Sequence, residues 1–354
     1  VIYLDHAATS PLLPAVREAM APWWGVPANP SSVHRFGRRA AAALEDARDE
    51  VAAFLGRPAA GIVFCSGATE ALHTAITGLV ALQGRRVLVS GIEHPAVTGA
   101  LEAANTLRVP LPAGADGVVD PGGAEGDLGV WMAANHETGV VQPVAEVLAG
   151  PLPWVVDATH AAGRMPLDHL GPAAAVVISA HKLGGPVGVG VLSLRSGDPF
   201  PPLLRGSAHE RGRRAGTPDV VGAVGLAAAC RASTTDREAR WARLRSLDGS
   251  LRAGLLALGG APVGDWARTV PGTTSVTFGS LLGETLVQAL DLGGVAVSSG
   301  AACASGSVQP SPVLLAMGHP HPRGGLRFSL GPSTTPDEIA RALAVLGASL
   351  ARLS

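Results

Sequence analysis

The sequence predicts an α/β protein: a large domain built on a mostly parallel sheet flanked by helices, with a smaller α/β unit behind it. Short β-branched runs alternate with stretches rich in Ala, Leu, Glu and Arg, which argues for strands joined by crossover helices. Most of the runs are apolar along their whole length, as strands covered on both faces are. The 354 residues, 47% of them apolar, suffice for a sizeable core and for more than one domain.

Taken in order, the runs are GIVF (61–64), RVLVS (86–90), LGVWMA (128–133), WVVD (154–157), AAVVIS (174–179) and VGVGVLSL (187–194). A helix is predicted over 38–55, where strong helix formers place Leu44, Ala47, Val51 and Leu55 on one face and stop at Gly56. A charged helical stretch, ASTTDREARWARLRSL, follows residue 231, and TTSVTF, GVAVSS and GLRFSL beyond it read as a second α/β unit. The expected division is residues 14–235 for the large domain, with 1–13 and 236–354 forming the small one. No repeat of solenoid length interrupts this order.

Charged residues are only 16% of the chain and the formal net charge is −1, which supports neither a nucleic-acid footprint nor a polybasic membrane anchor. No apolar run has the length of a membrane span. VIYLDHAATS carries Asp and His where a signal peptide needs unbroken apolar residues, so a cytoplasmic address is expected. Three widely spaced cysteines, Cys65, Cys230 and Cys303, make a poor disulfide framework and lack the paired spacing of a zinc site, so no metal is expected. Cys65 follows a strand run and Cys230 sits in an Ala-rich helical stretch. Only Cys303 lies among Gly, Ser and Pro.

Ligands of open α/β sheets bind beyond the carboxyl ends of the strands, and four polar clusters directly follow four of the runs. Ser66-Gly67-Ala68-Thr69-Glu70 could offer backbone amides and a helix N-terminus to an anion, or be an ordinary helix cap. Asn135-His136-Glu137-Thr138-Gly139 could reach a cofactor or substrate, or form a capped turn. Asp157 could keep the ring nitrogen of pyridoxal phosphate (PLP) protonated, although Asp also starts turns. Ser179-Ala180-His181-Lys182-Leu183-Gly184-Gly185 sets a lysine beside His and a Gly-Gly turn. Desolvation and a cationic neighbour are what a Schiff-base lysine needs to be nucleophilic.

In this order the motifs resemble those of cysteine desulfurases of the iron–sulfur assembly type, among the class V aminotransferase-like, fold-type I PLP enzymes. The resemblance covers nearly the whole chain. It runs through LDHAATSP (4–11), NPSSVH (29–34), SGATE (66–70), EH (93–94), NHETG (135–139) and VDATH (156–160). It continues through SAHKLGGPVGVG (179–190), HERGRRAGT (209–217), SSGAACASGSVQPSPVL (298–314) and LRFSLG (326–331). It implies that Lys182 carries the cofactor and moves protons at the substrate α-carbon. Ala68, Thr69, Ser179 and His181 would surround the phosphate, and Thr217 would reach it from the partner subunit of a homodimer. His94 would stack on the ring, Asp157 would pair with its nitrogen, and His136 and His160 would lie near its phenolic oxygen. Asn29 and Arg327 would hold the substrate, Arg327 through a bidentate contact with the carboxylate.

Cys303 decides the reaction that the resemblance implies. Its thiolate would take sulfur from L-cysteine, leaving alanine and a persulfide for a thiol-bearing acceptor such as a scaffold or carrier protein. The small residues around it favour an accessible, mobile loop. The chain departs from the family pattern where His136 and His160 replace amide side chains, and imidazoles that titrate near neutrality would change the pH response of the cofactor. Other chemistries on this scaffold are a selenocysteine lyase, an aminotransferase, an epimerase or a β-lyase, and a different class is a non-catalytic binding partner in sulfur transfer. The intact Lys182, Asp157 and Cys303 speak against the last.

Overall fold

The structure, a computed structural model, describes residues 1–197, 199–300 and 309–353. In chain order β1 spans Ile2–Tyr3, β2 Ile62–Cys65, β3 Arg86–Ser90, β4 Leu107–Leu111, β5 Leu128–Met132, β6 Trp154–Asp157, β7 Ala175–Ser179 and β8 Gly190–Leu194. Strands β2 to β8 form one seven-stranded sheet in the order β2-β8-β7-β6-β5-β3-β4. From β7 to β4 all neighbours are parallel. Strand β8 alone is reversed, pairing antiparallel with both β7 and β2.

Alternate residues of the central strands serve two separate cores. Val156 and Ile178 join Leu44 and Val51 of the helix Arg35–Leu55 and Leu226 of the helix Val220–Thr234. Their chain neighbours Val155 and Val177 face the other way, onto Leu72 and Ile76 of Ala68–Gln83 and Val97 of Pro95–Ala103. This double burial explains why these strands are apolar at every position. Strand β4 escaped the sequence reading for the opposite reason. It is an edge strand containing Arg108 and Pro110, and most of it faces solvent.

The predicted helix over 38–55 begins one turn earlier, at Arg35. There His34 Nδ1 accepts a hydrogen bond from the Gly37 amide, and the left-handed Gly56 (φ 62°) closes the other end. The charged stretch after residue 231 is not one helix. The first helix ends at Thr234, Asp236 turns the chain with φ 48°, and the next helix runs Arg237–Ala257.

A second assembly follows, with β9 at Ala261–Pro262, β10 at Thr273–Thr277, β11 at Val295–Ala296 and β12 at Leu326–Ser329. Strands β12, β10 and β9 form an antiparallel sheet, while β1 pairs in parallel with β11. Leu4 is shared: its amide donates to Ala296 O at 2.9 Å and its carbonyl accepts from Ser329 N at 2.7 Å. It is packed with Leu251, Leu286, Phe328 and Leu346 in a third core. The first residues therefore lie beside the C-terminal strands. Among the described residues no helix is long and apolar enough to cross a membrane.

Candidate active site

Strands β2, β3, β5, β6 and β7 end around a cavity of about 420 Å³. Lys182, His94, Asp157, His136, His160, Ser179, His181, Ala68, Thr69 and Arg327 all line it. Asn29 and Thr217 do not. Both are exposed, and Asn29 Oδ1 accepts from the Ser31 amide at 2.9 Å. Cys303 lies outside the described residues.

One end of the cavity is a helix N-terminus. Gly67 caps the helix Ala68–Gln83 without a side-chain hydrogen bond, which leaves first-turn amides and the helix dipole for an anion. Gly190 on β8 allows this packing, because a Cβ there would lie 2.6 Å from Gly67 C and 2.9 Å from Ala68 N. Glu70 does not face the anion position as a free charge. It accepts from Ser66 N at 2.7 Å and from Arg214 Nε at 2.9 Å, and these bonds hold its carboxylate below the usual range despite burial. Arg214 belongs to the loop 209–217, whose left-handed Glu210 and Arg211 (φ 47° and 57°) are held by a two-bond pair of Arg48 with Glu210 at 2.8 and 3.0 Å.

The middle of the cavity is lined by strand-end residues. Asp157, at the end of β6, accepts from the Thr159 amide at 2.9 Å. His94 Nδ1 accepts from Ala96 N at 3.1 Å and caps the helix Pro95–Ala103, which leaves Nε2 to carry the proton of the neutral ring. Burial lowers the His94 pKa; Asp157 opposes the shift and Lys182 adds to it. His136 meets His94 edge to face at 5.2 Å. Asn135 fixes the His136 loop: its Oδ1 accepts from Glu137 N at 2.9 Å and Thr138 N at 2.8 Å. His160 Nε2 lies 3.3 Å from Thr273 Oγ1.

The two histidines differ from the sequence expectation in one respect. Burial first, then neighbouring cations including Lys182 and Arg327, push both well below the ordinary imidazole range. Neither titrates near neutrality. Each is a neutral ring with a buried Nδ1 that has no partner among the described residues.

Arg327 closes the far end, almost fully buried, with Nη1 donating to His136 O at 2.7 Å and Nη2 to Asp5 Oδ1 at 2.8 Å. Its Nε has no partner among the described residues. Its backbone pairs with Ser298 in both directions, at 2.7 and 3.2 Å. The stem leading toward Cys303 is thereby fastened to the strand that carries the guanidinium. Gly300 lines the same cavity, and a Cβ on it would fall 2.3 Å from Glu137 Oε2.

Two buried carboxyls went unassigned in the sequence. Glu93 Oε1 accepts from Ser90 Oγ at 2.7 Å, whereas its Oε2 is buried without a partner among the described residues. Burial, reinforced by Asp157, pushes its pKa up to about 8. Glu137 Oε2 accepts from Ser311 Oγ at 2.6 Å, and burial pushes its pKa up to about 7. Both stand inside quoted motifs, EH and NHETG, but the motifs gave no sign of complete burial.

A flat, phosphorylated pyridine aldehyde fits these residues. The unpartnered Nδ1 atoms of His136 and His160 and the buried, unpartnered Thr159 Oγ1 offer polar contacts along the cavity wall. The helix N-terminus supplies an anion seat at one end, and a carboxylate and a lysine share the space between.

The profile of the family described as aminotransferase class-V matches residues 2–342. An IscS-like cysteine desulfurase of Mycobacterium tuberculosis is 37% identical over 99% of this chain and 96% of its own length. A cysteine desulfurase of Rhodobacter capsulatus is 38% identical over 99% and 97%. Among solved structures, a NifS-like protein superposes with a TM-score of 0.91 at 30% identity, covering 99% of both chains.

Proposed function

This chain belongs to the class-V aminotransferase family as a PLP-dependent cysteine desulfurase of fold type I, and on that premise we propose how its own residues divide the work. The observation that carries the assignment is the convergence of Lys182, Asp157, His94 and the open helix N-terminus on one cavity. When bound there, the cofactor supplies an electron sink for charge developing at the substrate α-carbon.

Lys182 is the residue that holds the cofactor and moves the proton at that carbon, from its place on the cavity wall with Asp157 and Arg327. Ala68, Thr69, Ser179 and His181 hold the phosphate, and His94 lies on the ring. Asp157 keeps the ring nitrogen protonated, and the Thr159 amide fixes the orientation of its carboxylate. His136 and His160 act as neutral hydrogen-bonding groups. Arg327 receives the L-cysteine carboxylate, with Asp5 and the His136 carbonyl fixing the plane of its guanidinium.

Cys303 is the nucleophile. Its thiolate forms a bond to the substrate sulfur as the carbon–sulfur bond breaks, giving a persulfide and, after protonation at carbon, alanine. Burial pushes the thiols of Cys65 and Cys230 far up, so neither supplies a thiolate. The persulfide sulfur passes to a thiol-bearing acceptor protein, in iron–sulfur cluster assembly or thiolation.

The working unit is a homodimer, in which Thr217 serves the partner's phosphate seat. Its exposure outside its own cavity supports this, as does the exposure of Val187, at 76%, on the cavity rim. The free, buried thiols of Cys65 and Cys230 accord with a reducing cytoplasm.

The test is to supply L-cysteine and a thiol reductant and measure sulfide and alanine, in wild type and Cys303→Ala. Equal amounts of both products from wild type and neither from the variant are expected. No sulfide from wild type overturns the activity, and undiminished sulfide from Cys303→Ala overturns the nucleophile.

A further inference from the structure

A second cleft, of about 540 Å³, lies between the Ser10–Ala15 segment, the helix that begins at Arg237 and the Leu330–Ser333 turn, and it shares Lys182 with the cofactor cavity. Its lining contains cations and no Asp or Glu. Arg164, only 8% exposed, donates to the carbonyls of His160 and His6 at 3.3 and 3.2 Å. Arg240 likewise donates to the carbonyls of Ala232 and Thr235 at 3.3 and 3.1 Å. Among the described residues neither guanidinium has a carboxylate within ion-pair distance. Such a placement is costly for a buried cation, and an anion arriving in the cleft relieves it. Burial and the nearby Arg327 already push Arg164 down to about 10. His6, also on this wall, keeps a buried Nδ1 without a partner. The remaining walls are apolar, with Leu13 and Leu244 inside and the 42%-exposed Leu12 at the rim.

We propose that this cleft is a binding site for a small organic anion, a carboxylate with an aliphatic body. Its charge is met by Arg164 and Arg240, and its body lies along Leu12, Leu13 and Leu244. The site is distinct from the cofactor cavity but backs onto the same lysine, and its existence does not depend on which amino acid the enzyme consumes.

Hexanoate is a suitable probe, titrated calorimetrically into the cofactor-loaded protein at low salt, with 1-hexanol as the uncharged control. Saturable binding of hexanoate, and at least tenfold weaker binding of hexanol, is expected. Ser333→Asp places a negative charge on an exposed rim residue without disturbing the core, and should weaken hexanoate about tenfold or more. Arg240→Gln should do the same. Arg327→Gln, which removes the cation of the other cavity, should weaken hexanoate far less than Ser333→Asp does. Loss of binding in Arg327→Gln with full binding in Ser333→Asp would locate the carboxylate in the active site and overturn the proposal. So would equal affinity for hexanol, or no saturable binding to wild type.

Discussion

Ser311 donates a 2.6 Å hydrogen bond to Glu137, and the same hydroxyl caps the helix Pro312–Ala316 by accepting from Leu314 N at 3.1 Å. Gly300 lies close enough to the same oxygen that a Cβ on it would fall 2.3 Å away. One buried side chain of the NHETG loop thus fastens the stem after the segment that holds Cys303 and leaves the stem before it no room for a side chain. Ser311→Ala removes the cap and one fastening, at a cost of about 1 kcal/mol in stability. Sulfide release is expected to slow while the cofactor's absorption stays at its wild-type position. A spectral shift of the same size would place the defect at the cofactor instead.

Glu93 makes stability depend on pH. Its folded pKa, about 8, is raised above the ordinary 4.5, so the folded state holds the proton that the unfolded state gives up. The contribution is complete below 4.5 and is lost as pH rises toward 8. Glu93→Gln lacks this loss. Its melting temperature relative to wild type is expected to rise steadily across that window, measured by thermal unfolding at several pH values. A constant difference would show that Glu93 is not the titrating group.

The histidines act with the opposite sign. His160 is lowered well below 6.5, so the unfolded chain binds protons first and stability falls as pH drops through 6.5. His160→Gln should therefore gain on wild type in acid. Above 6.5 the cofactor's absorption should titrate identically in the two proteins, because the imidazole is neutral throughout. A displaced titration near neutrality would mean that His160 carries a proton there.

Gly190→Ala tests the phosphate seat without touching a polar group. The added Cβ meets backbone on the far side of a tight contact and cannot be relieved by a rotamer change. A cost of about 1–3 kcal/mol is expected, falling on PLP affinity as well as on folding. Fluorescence titration of the cofactor-free protein with PLP measures it, and wild-type affinity would show that the helix N-terminus is not the seat.

What the sequence revealed and what it hid follow from the same physics. Strands β5, β6 and β7 were legible because both faces are buried, and residues such as Val155 and Val156 had to be apolar in opposite directions. Asp157 and Lys182 were legible because they interrupt the pattern at strand ends, where ligands bind. Strand β4 was hidden, since an exposed edge places little demand on its residues. Glu93 and Arg164 were hidden for another reason: Glu93 is buried with one oxygen unpartnered among the described residues, and Arg164 is buried against carbonyls, not a carboxylate, which arises only when distant segments close over them. The neutrality of His136 and His160 was misjudged from residue type alone, because burial outweighs intrinsic basicity.

The pairing of β1 with β11 has a consequence for the order of events on the ribosome. Ile2 and Tyr3 leave the ribosome long before their strand partners, Val295 and Ala296. The seven-stranded sheet, complete by Leu194, can form long before then. Until those partners are made, Ile2 and Tyr3 stay without them, and Asp5 waits in the same way for Arg327. A nascent chain interrupted before residue 327 would thus own the seven-stranded sheet but lack the arginine that closes the cavity and pairs with Asp5.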